Sequence, residues 1–339
     1  MDTPYNFNLR IQEGLLDQSA EAQAKYKFMT FNADLVVENF NFTEYSFIDS
    51  TINSLFFPKF GEYRWINITN CYFLLEQQLT MTLEGGNVKI DSSTIDVSIQ
   101  NRVAIFQSSS SCYLFDNYGI ANNYIWSNNL FIGYNVGGYT SLIYIQNHGN
   151  FTLINNRFID MRWIQSDISI SIEHIWLNCA NIAYTQMIIQ NNTIQNSYPT
   201  MSFIFFTFKF QKEGKQSVII KDNKISNLTY FNPGVFVIQK FNQLDLDIVF
   251  ENNYFENIEN LFVETSFILV NSPNLAFKNN TIKNSVIPTF ISVGIKLKKF
   301  NDMGSANIEY SYKFNQRQPN DSYGQQIYQF SINRGYYTH

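Results

Sequence analysis

Ile248-Val249-Phe250-Glu251-Asn252-Asn253-Tyr254-Phe255-Glu256-Asn257 is the stretch whose reading decides the fold. Ile248 and Phe250 stand two residues apart, the spacing of a strand with one buried face. Glu251 ends that run, a pair of asparagines follows, and Phe255 resumes an apolar position beyond the corner. Asparagine suits such a corner because it tolerates left-handed backbone. The same arrangement recurs at Asn155-Asn156-Arg157-Phe158, Asn191-Asn192-Thr193-Ile194, Asp222-Asn223-Lys224-Ile225 and Asn279-Asn280-Thr281-Ile282. Weaker copies stand at Asn128-Asn129-Leu130-Phe131, Ser92-Ser93-Thr94-Ile95, Thr69-Asn70-Cys71-Tyr72 and Asn39-Phe40-Asn41-Phe42. The closing residues fall at 42, 72, 95, 131, 158, 194, 225, 255 and 282, an average period of 30.

Columns that played no part in finding these copies test the repeat. Seven residues before each closing position stand Leu35, Trp65, Val88, Tyr124, Phe151, Met187, Val218, Ile248 and Leu275, all apolar. Five before it the residues are again apolar, with Asn67 the one exception. Four before it they turn mostly polar, against Ile68 and Ile154. In the last four copies a further Asn follows two residues on, at Asn196, Asn227, Asn257 and Asn284. Each period also carries a second strand-like run, such as Ser141 to Gln146 or Val235 to Gln239.

Short strands at a fixed period with no helix between them predict an all-β chain folded as a right-handed parallel β-helix of about nine coils. One coil cannot bury its inward face alone, whereas a stack buries a continuous column. Like then stacks on like, so Asn70, Asn129, Asn156, Asn192, Asn223, Asn253 and Asn280 are expected to form an amide ladder. At about 4.8 Å per coil, nine coils make a rod roughly 40 Å tall. The coils are assigned to residues 30–296. Residues 1–29 read as a short helical cap, because Leu9 to Tyr26 is the best helix-forming stretch in the chain. Residues 297–339 lose the Asn pair but keep strand-like pieces (Asn307 to Phe314 and Gln326 to Ile332), and read as closing the other end.

Composition agrees with β-structure. Of 339 residues 43 are Asn, 17% are aromatic and only 15% are charged, so amides and hydroxyls carry the surface. The net charge of −5 supplies no basic face for nucleic acid. The tight cationic run Lys296, Lys298, Lys299 reads as a solvated strand end, and Met201 to Phe208, the longest apolar run, is too short to span a membrane. Met1-Asp2-Thr3-Pro4 has neither the basic start nor the apolar stretch of a signal peptide. Cys71, Cys112 and Cys179 match neither a disulfide framework nor a metal motif and read as free buried thiols.

The Asn-Asn-x-Ile/Phe-x-Asn pattern after an alternating strand resembles the pectin-lyase-like right-handed β-helix superfamily, over roughly residues 30 to 296. The Asn-, Phe- and Gln-rich composition also resembles β-helix segments in large surface proteins of ciliated protozoa. The superfamily resemblance implies two outcomes, polysaccharide lyases and hydrolases on one hand and non-catalytic adhesins and surface repeats on the other. The lyases use acidic calcium ligands and an Arg base. Polygalacturonase-like members carry Asn-Thr-Asp, Asp-Asp, Gly-His-Gly and Arg-Ile-Lys on successive coils. Only the fragment Asn147-His148-Gly149 occurs here, and it reads as a polar corner.

Asp245 and Asp247 are the best acidic pair, sharing one strand face, with Lys221 and Asp222 offered by a neighbouring coil as partners for a substrate or Ca²⁺. No metal or cofactor motif accompanies them. Trp163 and Tyr118, in the two longest intervals, are the aromatic candidates for stacking on a glycan. Seven Asn-x-Ser/Thr sequons occur, at Asn41, Asn67, Asn150, Asn191, Asn227, Asn279 and Asn320, but about six are expected by chance in so Asn-rich a chain. The expected function is therefore a non-catalytic β-helix repeat domain for surface structure, adhesion or recognition of a glycan or protein, outside the cell and within a larger protein. A carbohydrate-active enzyme is the first alternative, and an intracellular, cytoplasmic scaffold the second.

Overall fold

Alternating burial sets the architecture. In the computed structural model, Asn123–Ser127 and Asn150–Ile154 alternate half-exposed and buried residues, and Leu246–Glu251 repeats the pattern. The structure describes residues 8–16, 28–31, 34–42, 56–59, 65–74, 81–84, 87–96, 106–109, 123–133, 143–146, 150–161, 168–174, 184–197, 202–208, 215–230, 235–240, 246–260, 266–270, 274–285, 287, 289–293, 299–301 and 307–308. All the described elements are strands, and every pairing among them is parallel. The chain is a parallel β-helix with three strand-bearing faces.

The first face stacks strands such as Asn150–Ile154, Tyr184–Gln190, Lys215–Lys221, Leu246–Glu251 and Asn274–Lys278. After a corner, the second face stacks Arg157–Ile159, Thr193–Ser197, Lys224–Tyr230, Tyr254–Asn260 and Thr281–Lys283. The third is an eight-stranded sheet from Met81–Glu84 to Thr289–Val293, with the pair Phe28–Phe31 and Phe56–Lys59 beside it.

Register extends the stack at both ends. Asn8–Leu16 pairs with Asp34–Phe42, setting Leu9 beside Leu35, Ile11 beside Val37 and Leu16 beside Phe42. Lys299–Asn301 and Asn307–Ile308 add a level beyond Asn274–Lys278 and Thr281–Lys283. Among the described residues the coils therefore number eleven rather than about nine, and run past the expected bounds at 30 and 296 in both directions. The helical cap expected from Leu9 onward is replaced by strand over Asn8–Leu16. Helix propensity is a weak preference, and pairing against the open edge of the next coil overrides it. Ala20 to Lys25 lies outside the described residues, as does the tail beyond Ile308.

Inside the three faces lies one core. The columns read from sequence are its walls: Val88, Phe151, Val218 and Ile248 in one, Ile90, Leu153, Ile220 and Phe250 in the next, all essentially inaccessible. Beyond the corner Ile95, Phe131, Phe158, Ile194, Ile225, Phe255 and Ile282 stack in register. Phe131 and Phe158 lie face to face, 4.4 Å apart and 5° from parallel. From the third face Phe236 and Phe267 meet Phe250 and Phe255 edge-on. This is where the high aromatic content goes, each buried ring contributing about 1.5–3 kcal/mol of transfer free energy.

One copy of the repeat sits a residue later than the sequence suggests. Phe73, not Tyr72, pairs with Ile95 and Phe42, and Ile66, not Trp65, pairs with Val88 and Leu35. Trp65 is half-exposed, so it leaves the inward column, while Ile68 enters at the position where Asn67 stands as an exception in the sequence. Trp126 does point inward.

The stack predicts opposite outcomes for adjacent residues. Phe158→Ala should lower stability in urea denaturation by about 3–5 kcal/mol. Arg157→Ala, exposed next to it, should change it by less than about 0.5 kcal/mol.

Candidate functional site

The corner between the first and second faces is built from two side chains with separate tasks. Among the described residues the first corner residue has positive φ in nine coils: Asn39, Asn70, Ser92, Asn128, Asn155, Asn191, Asp222, Asn252 and Asn279, with φ between 49° and 58°. That conformation costs most residues about 1–2 kcal/mol and is tolerated by Asn and Asp. These side chains are exposed and bond along the stack, as in Asn155 Nδ2 to Asn128 Oδ1 at 3.1 Å and Asn191 Nδ2 to Asn155 Oδ1 at 2.7 Å. Asp160 and Asn284, just after their second-face strands, and Asn196, Asn227 and Asn257, within theirs, repeat the positive φ.

The second corner residue is buried and forms the central ladder. Asn192 shows its chemistry in full. Its Oδ1 accepts from Asn156 N at 2.9 Å and Asn156 Nδ2 at 3.1 Å. Its Nδ2 donates to Leu153 O at 2.8 Å and to Asn223 Oδ1 at 3.0 Å. All four hydrogen-bonding positions of the amide are filled. Asn129, Asn156, Asn223, Asn253 and Asn280 continue the column. Asn70, expected in this ladder, belongs instead to the exposed row, donating to Asn39 Oδ1 at 2.6 Å. Cys71 takes the buried place and Ser93 the next, with Ser93 Oγ accepting from Cys71 N at 3.1 Å. Burial pushes the Cys71 thiol above its ordinary value.

A second amide ladder, at the start of the first face, is one that the Asn pair does not reveal in the sequence. Asn123 N and Nδ2 donate to Asn87 Oδ1, both at 2.9 Å; Asn150 Nδ2 donates to Asn123 Oδ1 at 2.9 Å; and Gln186 N donates to Asn150 Oδ1 at 3.1 Å. Its signal is a polar residue eight positions before the closing residue, in every coil but that of Phe73, where Trp65 stands. The ladders also bear on the sequons. Asn150, Asn191 and Asn227 commit their amide nitrogens to neighbouring coils, whereas Asn41 is exposed.

Of the acidic candidates, Asp222 and Asp247 are not brought together. Asp247 is half-exposed on the outer side of the first face and pairs with Ser217, five residues before Asp222 along the neighbouring strand. At about 3.3 Å per residue that is a separation of about 16 Å. Asp222 instead sits in the exposed corner row, accepting from Gln190 Nε2 and Asn252 Nδ2, each at 3.3 Å. Asp245, Tyr118, Trp163 and His148 lie outside the described residues. Among the described residues no three His, Cys, Asp or Glu side chains gather in a group that would hold a metal ion. On the second face Tyr254 lies between Lys224 and Lys283. Their ammonium groups stand 5.8 Å and 6.0 Å from its ring centre, a cation–π cluster.

The outer side of the first face carries the most distinctive surface. Its central column, in register, reads Val36, Asn67, Lys89, Ile125, Thr152, Ile188, Ile219, Val249 and Ala276. All are half-exposed. From Ile125 to Ala276 six consecutive coils present an apolar or methyl-bearing side chain, a stripe about 24 Å long. Polar columns flank it: Asn123, Asn150, Gln186, Ser217 and Asp247 on one side, and Ser127, Ile154, Gln190, Lys221, Glu251 and Lys278, with Ile154 the exception, on the other.

No protein-family model matches the chain, and no curated protein or solved structure shows significant similarity to it. Among the described residues no helix is long and apolar enough to cross a membrane.

The two corner positions should respond differently to the same substitution. Asn191→Gly loses one exposed bond but keeps a backbone suited to positive φ, and should change stability by no more than about 1 kcal/mol. Asn192→Gly strips the acceptor from Asn156 N and Nδ2 and the donor from Leu153 O, and should cost on the order of 3 kcal/mol or more in urea denaturation. Asp91 tests the electrostatics. Burial raises its pKa, but hydrogen bonds from Ser127 and Asn128 and the Lys89 charge outweigh that and hold it below the ordinary aspartate value. A depressed carboxylate stabilises the fold above its unfolded pKa, about 3.9, and loses that contribution as pH falls through the folded value. Asp91→Ala should therefore melt below the parent at neutral pH, with the gap closing on acidification below about pH 4.

Proposed function

We propose that the chain is a non-catalytic β-helix domain of a surface or extracellular protein, whose first face is its contact surface. One observation carries this reading: the outward column Ile125, Thr152, Ile188, Ile219, Val249 and Ala276. β-branched residues favour strand at any position, but five of them in six consecutive outward places, four of these aliphatic, leave a nearly unbroken apolar row. An exposed apolar row rimmed by polar columns is the kind of surface on which protein contacts are built. The ladders support a structural role as well, since they give a stiff surface of fixed spacing on which such a contact can be laid out. The repeat pattern's resemblance to the pectin-lyase-like superfamily agrees with this reading, because that superfamily includes non-catalytic adhesins and surface repeats.

Labelled protein should bind the surface of source cells, and Ile188→Lys/Ile219→Lys, folded by circular dichroism, should lose that binding at least tenfold. Equal binding by the variant would remove the stripe from the account. The purified protein should also leave acidic polysaccharides at unchanged chain length. Cleavage that disappears in Asp247→Asn or Asp222→Asn would restore the enzyme reading.

A further inference from the structure

We propose that the first face packs against the same face of a second copy, with the two stacks running in opposite directions about a two-fold axis at the Ile188 coil. The inference rests on the reading of the stripe as a contact surface and names its partner.

Charge selects this arrangement. A face can meet itself about a two-fold axis parallel to the stack or along the strands. The parallel axis crosses the flanking columns over, setting Glu251 against the partner's Asp247 and Glu38 against the partner's Asp34, so like charges meet at both ends. The axis along the strands returns each column to itself with coil order reversed. Centred on Ile188, it lays Ile188 on the partner's Ile188, Thr152 on the partner's Ile219 and Ile125 on the partner's Val249. The same operation sets Asp91 against the partner's Lys278, and by symmetry this occurs twice. Moving the axis one coil toward the N-terminus keeps acid–base pairs but lays Lys89 on the partner's Ile219 and Asn67 on the partner's Val249. Moving it one coil the other way opposes Lys221 with the partner's Lys221. Among axes through a coil, the Ile188 centre alone pairs five of the six places of the apolar run with one another and sets acid against base, with Lys89 falling on the partner's Ala276.

Size sets the strength. Seven coils at about 4.8 Å by four residues at about 3.3 Å give a footprint on the order of 400 Å² per copy. A total of about 800 Å² falls short of the roughly 1,000 Å² of a stable specific contact, so the dimer should be weak and concentration-dependent.

Sedimentation equilibrium of the full chain from about 1 to several hundred µM tests this, with folding of each variant checked by circular dichroism. The parent should show a monomer–dimer equilibrium, and Ile188→Lys, which brings two lysines together at the axis, should weaken it at least tenfold. Asp91→Lys alone opposes the introduced lysine with the partner's Lys278, and Lys278→Glu alone opposes Asp91 with a second acid, so each should be monomeric. Mixed, the two variants restore both opposite-charge pairs and should dimerise with each other as the parent does. A parent that stays monomeric, or a mixture that does not associate, overturns the antiparallel pair. If the parent is monomeric while the double-lysine variant still loses binding to cells, the contact surface stands and only self-pairing fails. If that variant binds cells normally, both readings fall.

Discussion

Everything in this protein depends on how a buried backbone corner finds its hydrogen bonds. Each coil turns sharply between its first two faces, and the turn carries polar backbone into a position that water does not reach. Asn156 N is satisfied by Asn192 Oδ1, Asn192 N by Asn223 Oδ1 and Asn223 N by Asn253 Oδ1, so every corner along this run is completed by the coil above it. A coil in isolation would leave these groups unpaired, at about 1–3 kcal/mol each. The amide is suited to the task because it accepts and donates at once, so one side chain serves the coil below and the coil above together. Where the column changes to Cys71 and Ser93, single hydroxyl and backbone bonds replace that double linkage. The ladder is densest from Asn129 to Asn280, and the aromatic core is packed beneath the same coils.

That vertical coupling also explains why the surface is so regular. Fixing the corner fixes the register, and fixing the register sends alternate residues of the first face inward and outward without drift. The outward column is thus as ordered as the core column, while its side chains stay half-exposed. The spacing of such a row is set by the backbone rather than by side-chain choice. Asp91 and Lys278 stand on the coils at its two ends.

The corner and the core are legible in the sequence because both are written at short range, as an Asn pair and a period of two. The failures have equally local causes. Thr69 to Tyr72 anchors one residue early because its only Asn, Asn70, occupies the exposed corner position while Cys71 fills the buried one. Shifting the anchor to Phe73 removes the exceptions at Asn67 and Ile68 together. The helix expected from Leu9 onward rests on propensity alone, which says nothing of an unpaired strand edge nearby. The outward stripe does leave a trace, in Met187-Ile188-Ile189, Val218-Ile219-Ile220 and Ile248-Val249-Phe250, which are unbroken apolar runs rather than alternating ones. Such runs break the apolar–polar alternation expected of a strand with one wet face. The distance between Asp222 and Asp247 is not legible, because it depends on register across coils and not on separation in sequence.

The ladder spacings in sequence vary from 22 residues between Cys71 and Ser93 to 36 between Ser93 and Asn129, yet each step advances the stack by one strand. Length gained or lost between two corners therefore leaves the height of the stack alone. Height counts corners, not residues. A lineage carrying this fold can enlarge the flank of one coil without moving any other coil relative to its neighbours. The distance between two points on the first face is inherited separately from the loops that decorate it.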